Sequence, residues 1–438
     1  MSEYTELLNI RAETLSPDDD GYEESLLETA KMFRGFGDAL TSFMEEHGYK
    51  GNPADAKEKT DYLRKKFREA GLNPPRNCDA WFISDRKPAR KTAFQICFAF
   101  GLDVEETDDF FRCVQLERSF DCHNAEEAVY YFCIKNDLSY MDAKDITARI
   151  PDPEKQKAVP DSDALYTGTI IEYINSIDDK EKLIQYIENN IEDFRYRSAT
   201  AVRYIRELWA KISGKTGPEN KESGEYNLAA REGELVSRSY NRFQKKSRRG
   251  HADTRSNEVI AEEVRREAEI KLDDRVAAGD GASTWTIFSQ IIGMDNKTEM
   301  KFASEYNRSL TSVLSENALL PLNADYCFPS RQIIDKALRG EPGEHESMRK
   351  LLIFLSFYNY WANIVTEKND AFYTAKHADS ERCMDTVNGR LLDAGYPELY
   401  AGNPYDWLFM WSMNDEHPLD AFRTYMGEVF AVKGETQI

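Results

Sequence analysis

The stretch EKTDYLRKKFREAGLNPPRNCDAWFISDRKPARKTAFQICFAFGLDVEET, residues 58–107, decides the fold. Its flanks, TDYLRKKFREAG and RKTAFQICFAFG, place apolar residues three or four apart, the spacing of one helix face. Between them lie a Gly71-Leu72-Asn73-Pro74 turn and a segment from Pro75 to Ile83 with proline at a first helical turn. The spacing therefore predicts helix, turn, helix, then a further helix closed by Gly101.

The same period recurs outward in LLETAKMFRGFGDALTSFMEEHG, TDDFFRCVQL and AEEAVYYFCIKN, and no sustained alternation argues for strands. An all-α, multi-helical fold follows. Breaks fall at Gly48–Pro53, at Pro74-Pro75, and in the linker-like segments at 150–163 and 213–226. They divide the chain into a helical domain (1–150), a helical region with linker (151–226), a basic and charged connector (227–283) and a C-terminal helical domain (284–438). EVIAEEVRREAEIKLDDRV in the connector reads as a solvated helix, because its charges outnumber its apolar positions.

The C-terminal domain reads as a diverged repeat of the first. Pro75 to Pro88 matches Pro329 to Pro342 in spacing, and each leads to an Arg-Lys pair opening an apolar helix, Arg90-Lys91 and Arg349-Lys350. DVEETDDFFRCV matches the pattern of DSERCMDTVNGRLL, and Asn124 aligns with Asn403, each opening a helix. The second copy needs an insertion of about twenty residues near Tyr358–Lys376. Convergent helical patterning is the competing explanation.

Seventy-eight acids against 57 bases give a formal charge of −21, which repels a polyanion if spread evenly. The charge is clustered instead. Residues 57–92 hold eleven Lys and Arg against five Asp and Glu, and residues 238–255 hold seven bases and one acid. Nucleic acid would bind at such islands, because phosphate affinity follows local charge. Arg76 and Asn77 sit at the leading end of the expected second helix, where a guanidinium or amide can read a purine edge. Lys65 and Lys66 precede them, and Ser84, Arg86, Lys87, Arg90 and Lys91 follow where backbone-clamping donors belong.

Over these residues the chain resembles the XRE-type (lambda-repressor-like) helix-turn-helix family. Trp81 matches the aromatic late in the recognition helix, Asp85-Arg86-Lys87-Pro88 the basic loop, and Phe98-Ala99-Phe100-Gly101-Leu102 the closing helix. The resemblance covers about fifty residues and implies double-stranded DNA as partner, with a homodimer letting two units span one helical turn. Asp85 stands where a small residue is usual, and the first helix is more basic than the pattern. The expected function is a DNA-binding regulator, of a mobile element or phage-related locus. The alternative is a helical protein–protein interaction protein, a phage-defence component or nucleic-acid mimic with the helix-turn-helix as scaffold. The second copy, with Arg331 and Lys336 offset by Asp335, Glu341, Glu344 and Glu346, is expected not to touch DNA.

Other signals point to packing or connection. Arg242, Lys245, Lys246, Arg248 and Arg249, interleaved with Tyr240 and Phe243, could contact nucleic acid as an auxiliary arm, but such runs are more often solvated connectors. Cys113, Cys122, His123 and Cys133 lack the paired short spacing of a zinc site, and no cofactor is expected. The six histidines accompany no nucleophile elbow, zincin pair or phosphate loop, so no catalytic residue is assigned and the chain reads as non-enzymatic. Tyr405, Trp407, Phe409 and Trp411 form a helix apolar nearly all round, expected in a core. No apolar run reaches membrane-spanning length, the N-terminal segment has no basic-then-apolar leader pattern, and seven cysteines suit a reducing compartment, so the cytoplasm is expected.

Overall fold

The computed structural model describes residues 3–16, 32–150 apart from 85, 167–191, 193–195, 199–216, 221–222, 227–235 apart from 234, 331–340, 345–370 and 373–423, with isolated positions between 25 and 29. The basic run at 238–255, the segment 258–276 expected to be a solvated helix, Asp85 and Cys327 lie outside the described residues.

The protein is all-α and multi-helical, as the periodicity requires. In chain order the helices are α1 (Glu3–Thr14), α2 (Phe36–Glu46), α3 (Ala56–Glu69), α4 (Ala80–Ile83), α5 (Arg90–Phe100), α6 (Val104–Phe110), α7 (Ala125–Lys135), α8 (Tyr140–Arg149), α9 (Thr167–Asn175), α10 (Lys180–Asn189), α11 (Ala199–Ser213), α12 (Arg331–Leu338), α13 (His345–Lys368), α14 (His377–Asp393) and α15 (Pro404–Asn414). Among the described residues, extended pairing is confined to a two-residue antiparallel ladder, Lys215–Thr216 with Lys221–Glu222. No described helix is long and apolar enough to cross a membrane.

Local chemistry sets many of the ends. Asp55 accepts from the backbone N–H groups of Lys57 and Glu58 and starts α3. Gly101, left-handed at φ 65°, closes α5, and the next helix opens in a capping box in which Asp103 and Glu106 satisfy each other's backbone N–H. Both α7 and α15 are eleven residues long and begin at an asparagine whose side chain caps the backbone two residues on.

Two apolar cores organise the helices. The first gathers buried residues from Phe36 to Phe194, including Trp81, Phe94, Phe110, Phe111 and Tyr130. The second gathers Leu8, Ala12, the buried face of α11, and α12 to α15. The cores do not follow the sequence blocks. Helix α1 packs on α15, where the Trp407 and Trp411 indoles donate to the carbonyls of Leu8 (3.0 Å) and Leu15 (2.6 Å). The region 151–226 is likewise split, α9 and α10 joining the first core and α11 the second. The aromatic cluster is core: Tyr405, Trp407, Phe409 and Trp411 are all buried. Each core, with the helices packed on it, forms one lobe.

Candidate nucleic-acid interface

The expected second helix of the helix-turn-helix is shorter than the sequence suggests. Instead of running from Pro75 to Ile83, α-helix covers Ala80–Ile83 alone, and residues 76–79 form turns bonded from Ala80 N–H to Asn77 (3.2 Å) and from Trp81 N–H to Cys78 (3.4 Å). The physical reason lies upstream. Pro74 and Pro75 supply no backbone N–H, and a residue before proline is pushed out of the helical region, so helical geometry is established only beyond them. Trp81 anchors the short helix in the first core, edge-on to Phe36 at 6.2 Å.

This geometry places the sequence-chosen residues in two groups. Arg76, Asn77, Ser84 and Arg86 are exposed, and among the described residues no side chain bonds the guanidinium groups of Arg76 and Arg86. Ser84 turns its hydroxyl back onto the Ala80 carbonyl at 2.9 Å. Lys65 is exposed, with Glu69 3.6 Å away, and Lys66 lies over the rings of Tyr62 and Phe100.

The second group is engaged within the protein. Arg90 makes a two-pronged pair with Glu127, Nε to Oε1 at 2.7 Å and Nη2 to Oε2 at 2.8 Å. Its Nη1 donates to the Arg118 carbonyl at 2.5 Å and its Nη2 to the Ser119 carbonyl. Burial would lower the Arg90 pKa, but the Glu127 carboxylate outweighs it and holds the guanidinium above its ordinary value. Lys87 donates to the Gln115 carbonyl at 2.8 Å. Lys91 donates to Glu126 at 2.5 Å, a bond that raises the ammonium pKa. These three side chains therefore tie α5 and its leading loop to the 115–127 segment.

The structure also distinguishes bases that charge counting treats alike. Lys59 is buried, its ammonium 4.9 Å from the Phe82 ring. Lys57, Arg64 and Arg68 form a stripe along α3. Lys57 and Arg68 are exposed, while Arg64 pairs with Asp61 at 3.8 Å and stands near the Cys78 thiol, offsetting part of the rise that burial gives its pKa. That proximity brings the middle of the stripe beside the 76–79 turn. Sequence reasoning left out Lys57 and Arg68, although their spacing to Arg64, seven and four residues respectively, was there to be read.

The cysteine and histidine cluster is dispersed. Cys122 and Cys133 are buried and Cys113 half-buried, and among the described residues no three His, Cys, Asp or Glu side chains converge on one point. His123 donates from Nδ1 to the Asp193 carbonyl at 2.7 Å. Set against known proteins, the chain matches no family model, no curated protein and no solved structure.

Proposed function

We propose that the chain is a DNA-binding regulator whose contact surface is the 76–86 segment, with Arg76, Asn77, Ser84 and Arg86 facing the duplex and Lys57, Lys65 and Arg68 of α3 on phosphates. The observation that carries this reading is the joint exposure of Arg76, Asn77 and Arg86 beside the α3 stripe, in a chain that is otherwise strongly acidic. Two of those groups are guanidiniums, which match phosphate geometry in a two-pronged fashion. The four-residue length of α4 favours phosphate contact over base reading, since a helix of one turn carries few side chains into a groove. Lys87, Arg90 and Lys91, engaged internally, are left out of the contact.

The test is a gel-shift titration of the full chain against random duplex at two salt concentrations. With five phosphate contacts, three from α3 and two from Arg76 and Arg86, affinity falls by ~500-fold between 50 and 200 mM salt at a slope of about −0.9 per contact. Absence of any salt-sensitive shift at low salt sinks the proposal. One observation favours the scaffold alternative, in which the unit supports a protein partner. Arg90 is half-buried and paired with Glu127, and Lys91 is paired at the surface with Glu126, so that end of the basic island is partly neutralised within the molecule.

A further inference from the structure

Two buried arginine–carboxylate pairs in this chain are built to the same plan. Arg349, opening the apolar part of α13, makes a two-pronged pair with Asp406, both bonds at 2.7 Å, and reaches the carbonyls of Pro397 and Glu398 at 3.5 Å. Arg90 makes the same set: a two-pronged pair with Glu127 and bonds to the carbonyls of Arg118 and Ser119. Both carboxylates also accept from a backbone N–H six residues upstream, Asp121 onto Glu127 at 2.8 Å and Tyr400 onto Asp406 at 2.9 Å. Both stand three residues after the capping asparagine, Asn124 or Asn403. The acceptor and cap positions keep a constant separation of 279 residues, from 118 and 397 to 127 and 406.

The correspondence extends into the preceding turn. Leu116 and Gly395, at the same separation, are both left-handed, with φ of 53° and 72°. The residue after each folds back onto the preceding helix. Glu117 N–H bonds Phe111 six residues back, and Tyr396 N–H bonds Leu391 five residues back. The extra residue in the first lobe coincides with a π-helical turn at Phe111–Gln115, which is how a helix absorbs a single insertion. Two independently evolved helical units would not share a cap, a left-handed turn, two carbonyl acceptors and a carboxylate in one register, with an arginine bonded to the same set across the twenty-residue difference that separates 259 from 279.

These matched turns also meet each other. The Arg118 guanidinium lies 5.5 Å from the Tyr396 ring, while Glu117 and Pro397 line one small cleft. Since Tyr396 corresponds to Glu117 and Pro397 to Arg118, the contact is reciprocal, as at an isologous dimer interface. Arg112 lies 5.8 Å from the Tyr400 ring at its margin. We infer that the chain is a fused pair of copies of one unit, docked turn to turn about a local two-fold, so that the surface through which a single unit would pair with a second copy is occupied within the same molecule. This inference holds whether or not the first lobe binds DNA.

Hydrogen exchange on the full chain tests it through reciprocal variants. Arg112→Ala, in the first lobe, is expected to speed exchange of amides at 396–403 in the second by ~3-fold or more, and Tyr396→Ala to do the same at 112–119 in the first. Faster exchange confined to the substituted lobe in both variants overturns the inference. Should Tyr396→Ala not fold, Arg112→Ala alone decides. Sedimentation equilibrium is expected to give the single-chain mass of 50.5 kDa. A two-chain particle whose association newly protects 112–121 and 391–400 overturns the inference as well.

Discussion

The two arginine-centred turns have one geometry but different surroundings. In the second lobe Arg349 and Asp406 are both buried, with side chains 3% and 0% exposed. In the first, Arg90 retains 22% exposure, a second acid, Glu117, stands 3.5 Å from its Nη1, and the adjoining surface carries Arg76 and Arg86 facing solvent. The difference teaches that a fold and its surface chemistry vary separately. Backbone carbonyls and one carboxylate fix the turn in both lobes, while the basic face belongs to the first.

The largest expected effect comes from breaking the more buried pair. Arg349→Met strands the Asp406 carboxylate and should cost ~3–5 kcal/mol in chemical denaturation, because an uncompensated buried charge is left behind. Arg90→Met should cost less, about 1–3 kcal/mol, since the Arg90 side chain keeps 22% exposure and water can reach the site. Equal losses at the two positions would remove the distinction between the lobes.

Surface charge should separate the lobes by binding instead of stability. Reversing both Arg76 and Arg86 to Glu is expected to weaken duplex binding by ~10-fold or more and to reduce the salt slope by about two contacts, with stability changed by less than ~0.5 kcal/mol. Lys336→Glu, at an exposed position of α12 in the second lobe, is expected to leave the affinity as it was. A fluorescence-anisotropy titration that ranks Lys336→Glu with the double reversal would erase the functional asymmetry.

The smallest effect concerns acid. His123 stands where the second lobe has Gly402, and burial holds its pKa below the ordinary imidazole value, against the opposing pull of the Asp193 carbonyl. The folded state therefore binds fewer protons than the unfolded chain. Stability contributed here is full above the unfolded pKa of about 6.5 and is lost as pH falls toward the lower folded value, by at most ~1.4 kcal/mol per pH unit. Denaturation midpoints measured at pH 7 and pH 5.5 should show this slope in the first lobe's transition, and His123→Gln should flatten it. Burial pushes the nearby Glu117 pKa up, which acts in the opposite direction at lower pH, so the His123 variant is the control that isolates the histidine.

Much of the local structure was legible because its causes are local. The Gly101 stop, the Asp103–Glu106 capping box and the Asn124 and Asn403 caps follow from residues within one turn of each helix end. The length of α4 was misread, because apolar spacing outweighed the two prolines that delay helix formation. The carboxylate pairing of half-buried Arg90 and exposed Lys91 was not legible, for a different reason. Their partners, Glu127 and Glu126, lie 37 and 35 residues further along, and no short-range pattern connects them.

By itself the sequence determined an all-helical architecture, the stop at Gly101, the buried aromatic character of residues 405–411 and the concentration of basic charge at 57–92, since periodicity and charge are properties of neighbouring residues. Only the tertiary structure decided which bases remain outside, that α1 belongs with the C-terminal lobe through the indole bonds of Trp407 and Trp411, and that the two turns face each other. Those outcomes depend on side chains tens to hundreds of residues apart satisfying one another's charges and hydrogen bonds once water is excluded, and that pairing exists only in the folded molecule.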